Sequence, residues 1–329
     1  MKPRSIFAMV LLLAFARNGS AYTLIEFVNP NGERVNLHWS ADSQPVEWFF
    51  HNTPPDDFSL EVAIERTQAS YDTWEAVETS GITFQFAGRT NAEPFVFFDF
   101  INTVGFITDP SLRGTGILGA TDFIVFTFTG EIAESDIFFN ADVPWSATPN
   151  GSPGRFDFQG TATHEIGHFL GLGHSGLGFM RGGRRLEEGS SIMFPFAFPP
   201  GTTLGRALTF DDTTGASVVY PTGGFGGRAS MSGTVTKNGQ GLEAANVTAF
   251  NPFTDELVAI FTDGGGNYRI QGLSAGPIVV RVSPVSEEPS AFNFNDFSID
   301  VDYEVTFHEG RAEVTPGTNT RGIDVAVTP

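Results

Sequence analysis

The stretch Thr163–Ser175, THEIGHFLGLGHS, decides how this sequence is interpreted, because three of the chain's six histidines lie in it. His164 and His168 are four residues apart, so a helix places both side chains on one face, one turn apart. Two imidazole nitrogens at this spacing can bind one metal ion at about 2.0–2.1 Å. Gly171 allows the chain to leave the helix in a left-handed conformation, which can bring His174 to the same ion. Three protein ligands leave a fourth position for water, as in catalytic zinc sites.

Glu165 directly follows the first histidine and is placed beside the position of a metal-bound water, which makes it the candidate general base. A lone His-Glu-x-x-His pair also occurs on ordinary exposed helices. Here, however, all five fixed positions of His-Glu-x-x-His-x-x-Gly-x-x-His are matched, which favours a zinc site over coincidence. The extended motif resembles that of the metzincin clan of zinc endopeptidases. Ser175, after the third histidine, resembles the matrixin branch of that clan.

The resemblance implies an α+β fold, with a twisted, mostly parallel sheet and three helices in the catalytic domain. The residue pattern agrees with this order of elements. It predicts helices over 59–78, around the histidines and over 208–220, and strands over 82–86, 95–101, 117–128 and 136–140. The last helix carries a Leu-x-x-Asp-Asp-x-x-Gly pattern that also resembles matrixins. Met193 resembles the methionine of the metzincin Met-turn, which underlies the metal site.

Leu118, Gly119 and Ala120 resemble the substrate-binding edge strand of matrixins. The resemblance implies that a peptide lies extended along this edge and adds main-chain hydrogen bonds. Vertebrate matrixins hold a second, structural zinc with histidines from these strands, whereas Ala120 and Phe138 stand at the matching places here. We therefore expect a single zinc ion.

The resemblance also locates the pocket for the substrate side chain that follows the scissile bond. Gly160, four residues before the first histidine, leaves the pocket unblocked, and Pro195, Phe196 and Ala197 would form its wall. This composition predicts a deep, apolar and broadly selective pocket. The alternative is that Phe196 or Phe198 swings in and fills the space.

The chain has 38 acidic and 18 basic residues, a net charge of −20 and no cysteine. The negative charge disfavours nucleic acid and anionic membranes as partners, so protein or peptide substrates are expected. Solubility, structural calcium and a salty habitat are all consistent with this charge. The absence of cysteine excludes disulfide bonds and the cysteine-based latency of the family. We expect a monomer.

Residues 1–21 have the pattern of a secretory signal peptide: a basic start, a short apolar run and small residues before the expected cleavage site. The apolar run is short for a membrane anchor, so secretion is the preferred interpretation. We accordingly expect the mature chain to function outside the cell.

The remaining chain divides into a matrixin-like protease domain over 22–221, a Gly-rich linker over 222–229 and a second domain over 230–329. Short alternating strands in the second domain predict an all-β sandwich. Its sequence resembles carboxypeptidase-regulatory-like (transthyretin-like) modules. Both a role as a spacer or stability module and a role in substrate binding are consistent with this resemblance. The flexible composition of the linker predicts few contacts between the domains, so that a fragment ending near Gly227 would be active.

The sequence therefore predicts a secreted, zinc-dependent endopeptidase with Glu165 as general base. The alternative is a non-catalytic extracellular binding protein that has a vestigial zinc site and functions through its β-sandwich. That alternative leaves Glu165, Gly171 and Met193 without a role.

Overall fold

The computed structural model of the chain describes residues 23–178, 190–285 and 299–329, and the backbone alone of 180–181 and 184–185. The predicted signal peptide, 1–21, lies outside the described residues, as do parts of the loop after the histidine motif. Within the described residues, no helix is both long and apolar enough to cross a membrane.

The strands of the first domain are β1 (Glu26–Val28), β2 (Arg34–Asn36), β3 (Val46–His51), β4 (Phe84–Thr90), β5 (Thr103–Ile107), β6 (Gly119–Thr121), β7 (Ile124–Val125), β8 (Ile132–Glu134), β9 (Ile137–Asn140), β10 (Trp145–Ser146), β11 (Phe156–Asp157), β12 (Met180–Arg181) and β13 (Arg184–Arg185). Five of them form the central sheet of the domain, with the order β4-β3-β5-β9-β6. The pairs β4-β3, β3-β5 and β5-β9 are parallel and only the edge strand β6 is antiparallel, which confirms the predicted mostly parallel sheet.

Three helices accompany the sheet: α1 (Leu60–Glu75), α2 (Phe158–Phe169) and α3 (Phe210–Val219). Each begins at a residue whose side chain accepts a backbone N–H of the first turn, namely Ser59, Asp157 and Thr209. Helices α1 and α2 pack against each other, and the indole N–H of Trp74 donates to the carbonyl of Thr163 at 2.8 Å. This contact fixes the helix that carries the histidines. Short 3₁₀ helices lie at Ala41–Ser43, Pro110–Leu112, Leu204–Arg206 and Phe225–Gly227.

The segment 95–101, predicted as a strand, is a loop in the structure, and the strand follows it at β5. Buried carboxylates hold this loop: Asp136 accepts the backbone N–H of Phe95, and Glu134 accepts those of Phe98 and Phe100. These three phenylalanines adopt positive φ angles of 68°, 71° and 58°. Hydrogen bonds to remote carboxylates thus replace the pairing that the apolar composition predicted.

The second domain contains only strands among its described residues and consists of two five-stranded sheets. Its strands are β14 (Ala229–Lys237), β15 (Gln240–Gly241), β16 (Asn246–Asn251), β17 (Glu256–Phe261), β18 (Asn267–Leu273), β19 (Gly276–Ser283), β20 (Thr306–Phe307), β21 (Ala312–Val314), β22 (Asn319–Arg321) and β23 (Val325–Val327). One sheet has the order β15-β14-β18, with β22 and β23 also paired to β14, and the other has the order β17-β16-β19-β20, with β21 paired to β19. The predicted combination of an α+β domain with an all-β domain is confirmed.

The two domains are packed together, so the expectation of few contacts between them is wrong. Their buried apolar side chains form one continuous cluster. The guanidinium of Arg228 lies 5.5 Å from the ring centre of Phe210 on α3. The linker itself contributes, because Phe225 belongs to a 3₁₀ helix and its ring lies against Gly272, where an added Cβ would be 2.7 Å from Cε2. Glycine-rich composition predicted a flexible linker but gave no information about the surfaces on either side of it.

Candidate active site

The helix α2 is anchored at its start by an ion pair. Asp157 caps the helix by accepting the N–H of Gly160 at 2.9 Å, and Arg206 binds the same carboxylate through two nitrogens, at 2.5 and 2.9 Å. Both side chains are largely buried, so the bidentate pair is geometrically well defined. The histidine-bearing helix is thereby fixed to the segment that follows the Met-turn.

The three histidines of the motif come together in the structure. His164 and His168 lie one turn apart on α2, and His174 follows the turn at Gly171, so that ligand atoms of all three lie within 4.8 Å of one another. Gly171 has the predicted left-handed conformation, with φ of 93°. A Cβ at this position would lie 2.3 Å from the carbonyl oxygen of Leu37, so only glycine fits.

Two of the histidines are oriented by backbone carbonyls. Nδ1 of His164 lies 2.7 Å from the oxygen of Ile192, and Nδ1 of His168 lies 2.7 Å from the oxygen of Leu172. A carbonyl only accepts, so Nδ1 carries the proton and the lone pair remains on Nε2. Burial, and then the neighbouring His164, lower the pKa of His168 to about 3, which keeps this ring neutral.

The spacing of the nitrogens fits a tetrahedral metal ion. Nε2 of His168 and Nε2 of His174 are 3.2 Å apart. Two ligands of a tetrahedral zinc with bonds of about 2.0–2.1 Å are separated by about 3.3–3.4 Å. The three imidazoles in this arrangement therefore fit a zinc ion.

Glu165 is buried beside the histidines and faces the edge strand β6. Its Oε2 accepts the hydroxyl of Thr121 at 2.9 Å, and Gly119 leaves room for its other oxygen, since a Cβ there would lie 3.2 Å from Oε1. Burial raises the pKa of Glu165 to about 8, and the Thr121 hydrogen bond partly opposes this increase. Thr121 had not been predicted as a site residue, and its place immediately after Ala120 in the edge strand was the only available signal.

The turn at Met193, predicted to be a Met-turn, lies directly under α2. A Cβ at Gly167 would be 2.2 Å from Sδ of Met193, so the helix touches the methionine through the bare backbone of a glycine. Asp212 on α3 holds the turn by accepting the N–H of Ile192 at 3.0 Å and that of Met193 at 3.2 Å. Since the carbonyl of Ile192 faces His164, the carboxylate supports the histidine cluster through the turn.

The predicted substrate-binding residues occupy two places. Gly119 and Ala120 lie in β6, at the edge of the sheet, and Leu118 immediately precedes them. Ala120 is paired with Phe138, and neither side chain carries a metal-binding atom. This edge runs past Glu165, which places the predicted peptide-binding strand next to the candidate base.

The predicted pocket residues differ in their exposure to solvent. Pro195 and Phe196 are half-buried and Ala197 is exposed. Gly160 packs against the backbone of Gly205, where an added Cβ would lie 3.1 Å from Gly205 Cα, so the missing side chain permits this contact between backbones. The depth of the pocket stays a prediction.

Comparisons with known proteins agree with this geometry. The matrixin family profile matches residues 38–221, and the carboxypeptidase regulatory-like domain profile matches residues 230–327. Metalloendoproteinase 1 of Glycine max is 28% identical over 197 residues, which cover 55% of this chain and 52% of that protein. The chain thus spans about half the length of this relative.

A solved structure, the Bacillus anthracis TIE protein, is 14% identical and covers 31% of this chain and 16% of its own, with a TM-score of 0.23. At that score the likeness carries no argument. The matrixin profile, in contrast, spans 184 of the 329 residues and contains the whole histidine cluster. The chain therefore belongs to the matrixin family of metallopeptidases, and a carboxypeptidase-regulatory-like domain follows its matrixin domain.

Proposed function

We propose that this protein is a secreted zinc endopeptidase in which His164, His168 and His174 hold the ion and Glu165 is the general base. The observation that supports this best is the convergence of three histidine ligand atoms within 4.8 Å, next to a buried glutamate. A vestigial site would have no need for the second set of contacts that orient the rings and the carboxylate.

When bound, zinc would supply a Lewis acid that polarises the scissile carbonyl and acidifies a water molecule. Glu165 would accept the proton of the attacking water and deliver it to the departing amine. Burial raises the pKa of this carboxyl above its usual range, which makes it a stronger base than an exposed glutamate. Thr121 holds the carboxylate towards the edge strand while its own hydroxyl remains the donor.

The substrate is proposed to be an extended peptide that pairs with the outer edge of β6. One side of β6 is paired with β9, and no other described strand pairs with it. Main-chain pairing there would place the scissile bond beside Glu165, since a Cβ added at Gly119 would lie 3.2 Å from Oε1 of that side chain. The proposal includes secretion, a monomeric state and structural calcium, as expected from the sequence.

The proposal is tested by measuring zinc content and hydrolysis of an internally quenched peptide, with and without a chelator. We expect one zinc per chain, loss of hydrolysis when the metal is removed, and recovery when zinc returns. His168→Ala should lose both zinc and activity, whereas the matched control His308→Ala, in the second domain, should retain both. Hydrolysis that survives complete removal of the metal would refute the proposal.

A further inference from the structure

We propose that the carboxypeptidase-regulatory-like sandwich is a functional part of the metal centre, because it holds the segment that carries the third histidine. The inference rests on the proposed zinc site and adds a role for the second domain. The sandwich would act as an intramolecular clamp on Ser175 and Gly176, the two residues that follow His174 in the chain.

The first contact of this clamp is made through Asp211, a fully buried residue near the start of α3. Its Oδ2 accepts the hydroxyl of Ser175 at 2.6 Å, and its Oδ1 accepts the backbone N–H of Ala259 at 2.8 Å. One carboxylate thus joins the residue after His174 to strand β17 of the sandwich. The adjacent Asp212 makes a different contact, because it accepts the N–H of Ile192 in the turn that carries Met193.

The N–H of Ala259 gives the buried Oδ1 of Asp211 a hydrogen-bond donor. Burial, and then the adjacent Asp212, raise the pKa of Asp211 to about 7, whereas the N–H of Ala259 opposes that increase. Leaving a buried charged group without its donor costs more than a neutral hydrogen bond contributes. The sandwich therefore favours the ionised form of the carboxylate that holds Ser175.

A second contact between the sandwich and the first domain is made at Gly176, the residue after Ser175. The side-chain amide of Asn246 on β16 donates to the carbonyl of Gly176 at 2.9 Å. Phe261, which is paired with Asn246 across β16 and β17, covers the same glycine: a Cβ at Gly176 would lie 2.6 Å from its Cζ. A side chain at this position would therefore require the ring of Phe261 to shift.

The topology explains why Ala259 on β17 can bond to Asp211. It is the edge strand of its sheet, and the N–H of Ala259 points to Asp211 across the domain boundary. A sheet edge that would otherwise be open is thus covered by the first domain. A passive spacer would not need two polar bonds within two residues of a metal ligand, one of them to a buried carboxylate.

The test uses the full mature chain loaded with zinc and measures the rate of zinc release to a chromogenic chelator. Ala259→Pro removes the N–H at an edge position, where proline is tolerated because that N–H is not part of the ladder. Asn246→Ala removes the bond to Gly176. The absorption spectrum of the Co²⁺-substituted protein reports the ligand geometry in each variant.

We expect both variants to release zinc about 10-fold faster, the lower end of the effect of losing an outer contact of a metal ligand, and to alter the Co²⁺ spectrum. Two controls should match the wild type: Ala259→Gly, which retains the N–H, and Tyr268→Phe. The latter removes the buried bond from the Tyr268 hydroxyl to Ile323, within the sandwich and away from the clamp.

Wild-type release rates and spectra in folded Ala259→Pro and Asn246→Ala would overturn the inference. If Ala259→Pro does not fold, Asn246→Ala decides the question alone, because it changes a single side-chain bond between the domains. Failure of the wild type to bind zinc would instead refute the proposed function, and the clamp with it. The two failures are therefore distinguishable.

Discussion

The contact between Gly167 and Met193 gives the most specific prediction about how the metal site is supported. Gly167 lies inside α2, between the two helical histidines, and a Cβ there would be 2.2 Å from Sδ of Met193 and 2.9 Å from Cζ2 of Trp74. Distances this short are not tolerated, so in Gly167→Ala the methionine must move. Because Met193 follows Ile192, whose carbonyl orients His164, its displacement should also disturb the histidine.

Two opposing effects determine the change in stability. Alanine in place of a glycine inside a helix favours folding by about 1 kcal/mol, whereas overpacking a filled core costs about 1–3 kcal/mol. Gly167→Ala should therefore destabilise the protein by up to about 2 kcal/mol. Met193→Ala alone should cost about 2–5 kcal/mol. In the Met193→Ala background only the Trp74 contact opposes the new methyl group, so Gly167→Ala should become nearly neutral.

The assay is urea unfolding of the wild type, both single variants and the double variant, in excess zinc. The double-mutant cycle should give a coupling energy of up to about 2 kcal/mol, because the second substitution creates the space that the first requires. An equal cost of Gly167→Ala in both backgrounds would refute the reasoning, since the methionine would then not be the group that glycine accommodates.

Two further predictions concern groups around the site. Thr121→Val should lower kcat by about 2- to 12-fold with zinc content unchanged, because it removes a hydrogen bond of about 0.5–1.5 kcal/mol to Glu165, whereas Thr121→Ser should retain activity; an unchanged kcat in the valine variant would argue against this role. Burial raises the pKa of Asp122 to about 7, whereas the same carboxyl in the unfolded chain loses its proton near pH 4. The folded state therefore binds more protons between about pH 4 and pH 7, and the free energy of unfolding should fall as the pH rises through this range. Asp122→Asn, which cannot titrate, should therefore gain at least about 1 kcal/mol relative to the wild type between pH 5 and pH 8, and the same difference in unfolding free energy at both pH values would contradict it.

The histidine cluster could be predicted from the sequence because its determinants are local. His164, His168 and Gly171 are fixed by helix geometry and by one turn, and the structure places them as that geometry requires. Thr121 and Asp211 could not be assigned in the same way, because they reach Glu165 and Ser175 only through the packing of remote elements. Their roles depend on the tertiary structure, which no local pattern specifies.

Two parts of the fold show the limits of composition more directly. The Phe-rich segment 95–101 has the composition of a strand, yet hydrogen bonds to Asp136 and Glu134 hold it as a loop. In the same way, the Gly-rich linker suggested independent domains, whereas the bond between Ala259 and Asp211 joins them. In both cases a buried carboxylate, remote in sequence, determines the outcome.

The most direct test of the proposed mechanism is Glu165→Gln, measured for zinc content and for kcat/KM on an internally quenched peptide. Glutamine keeps the size of the side chain but cannot act as a base, and the three histidines that hold the ion are unchanged. We expect one zinc per chain, as in the wild type, and a loss of about 10²–10⁴-fold in kcat/KM. Glu78→Gln, at an exposed position in the same domain, should retain wild-type activity. A Glu165→Gln protein that binds zinc and cleaves the peptide at the wild-type rate would contradict the mechanism.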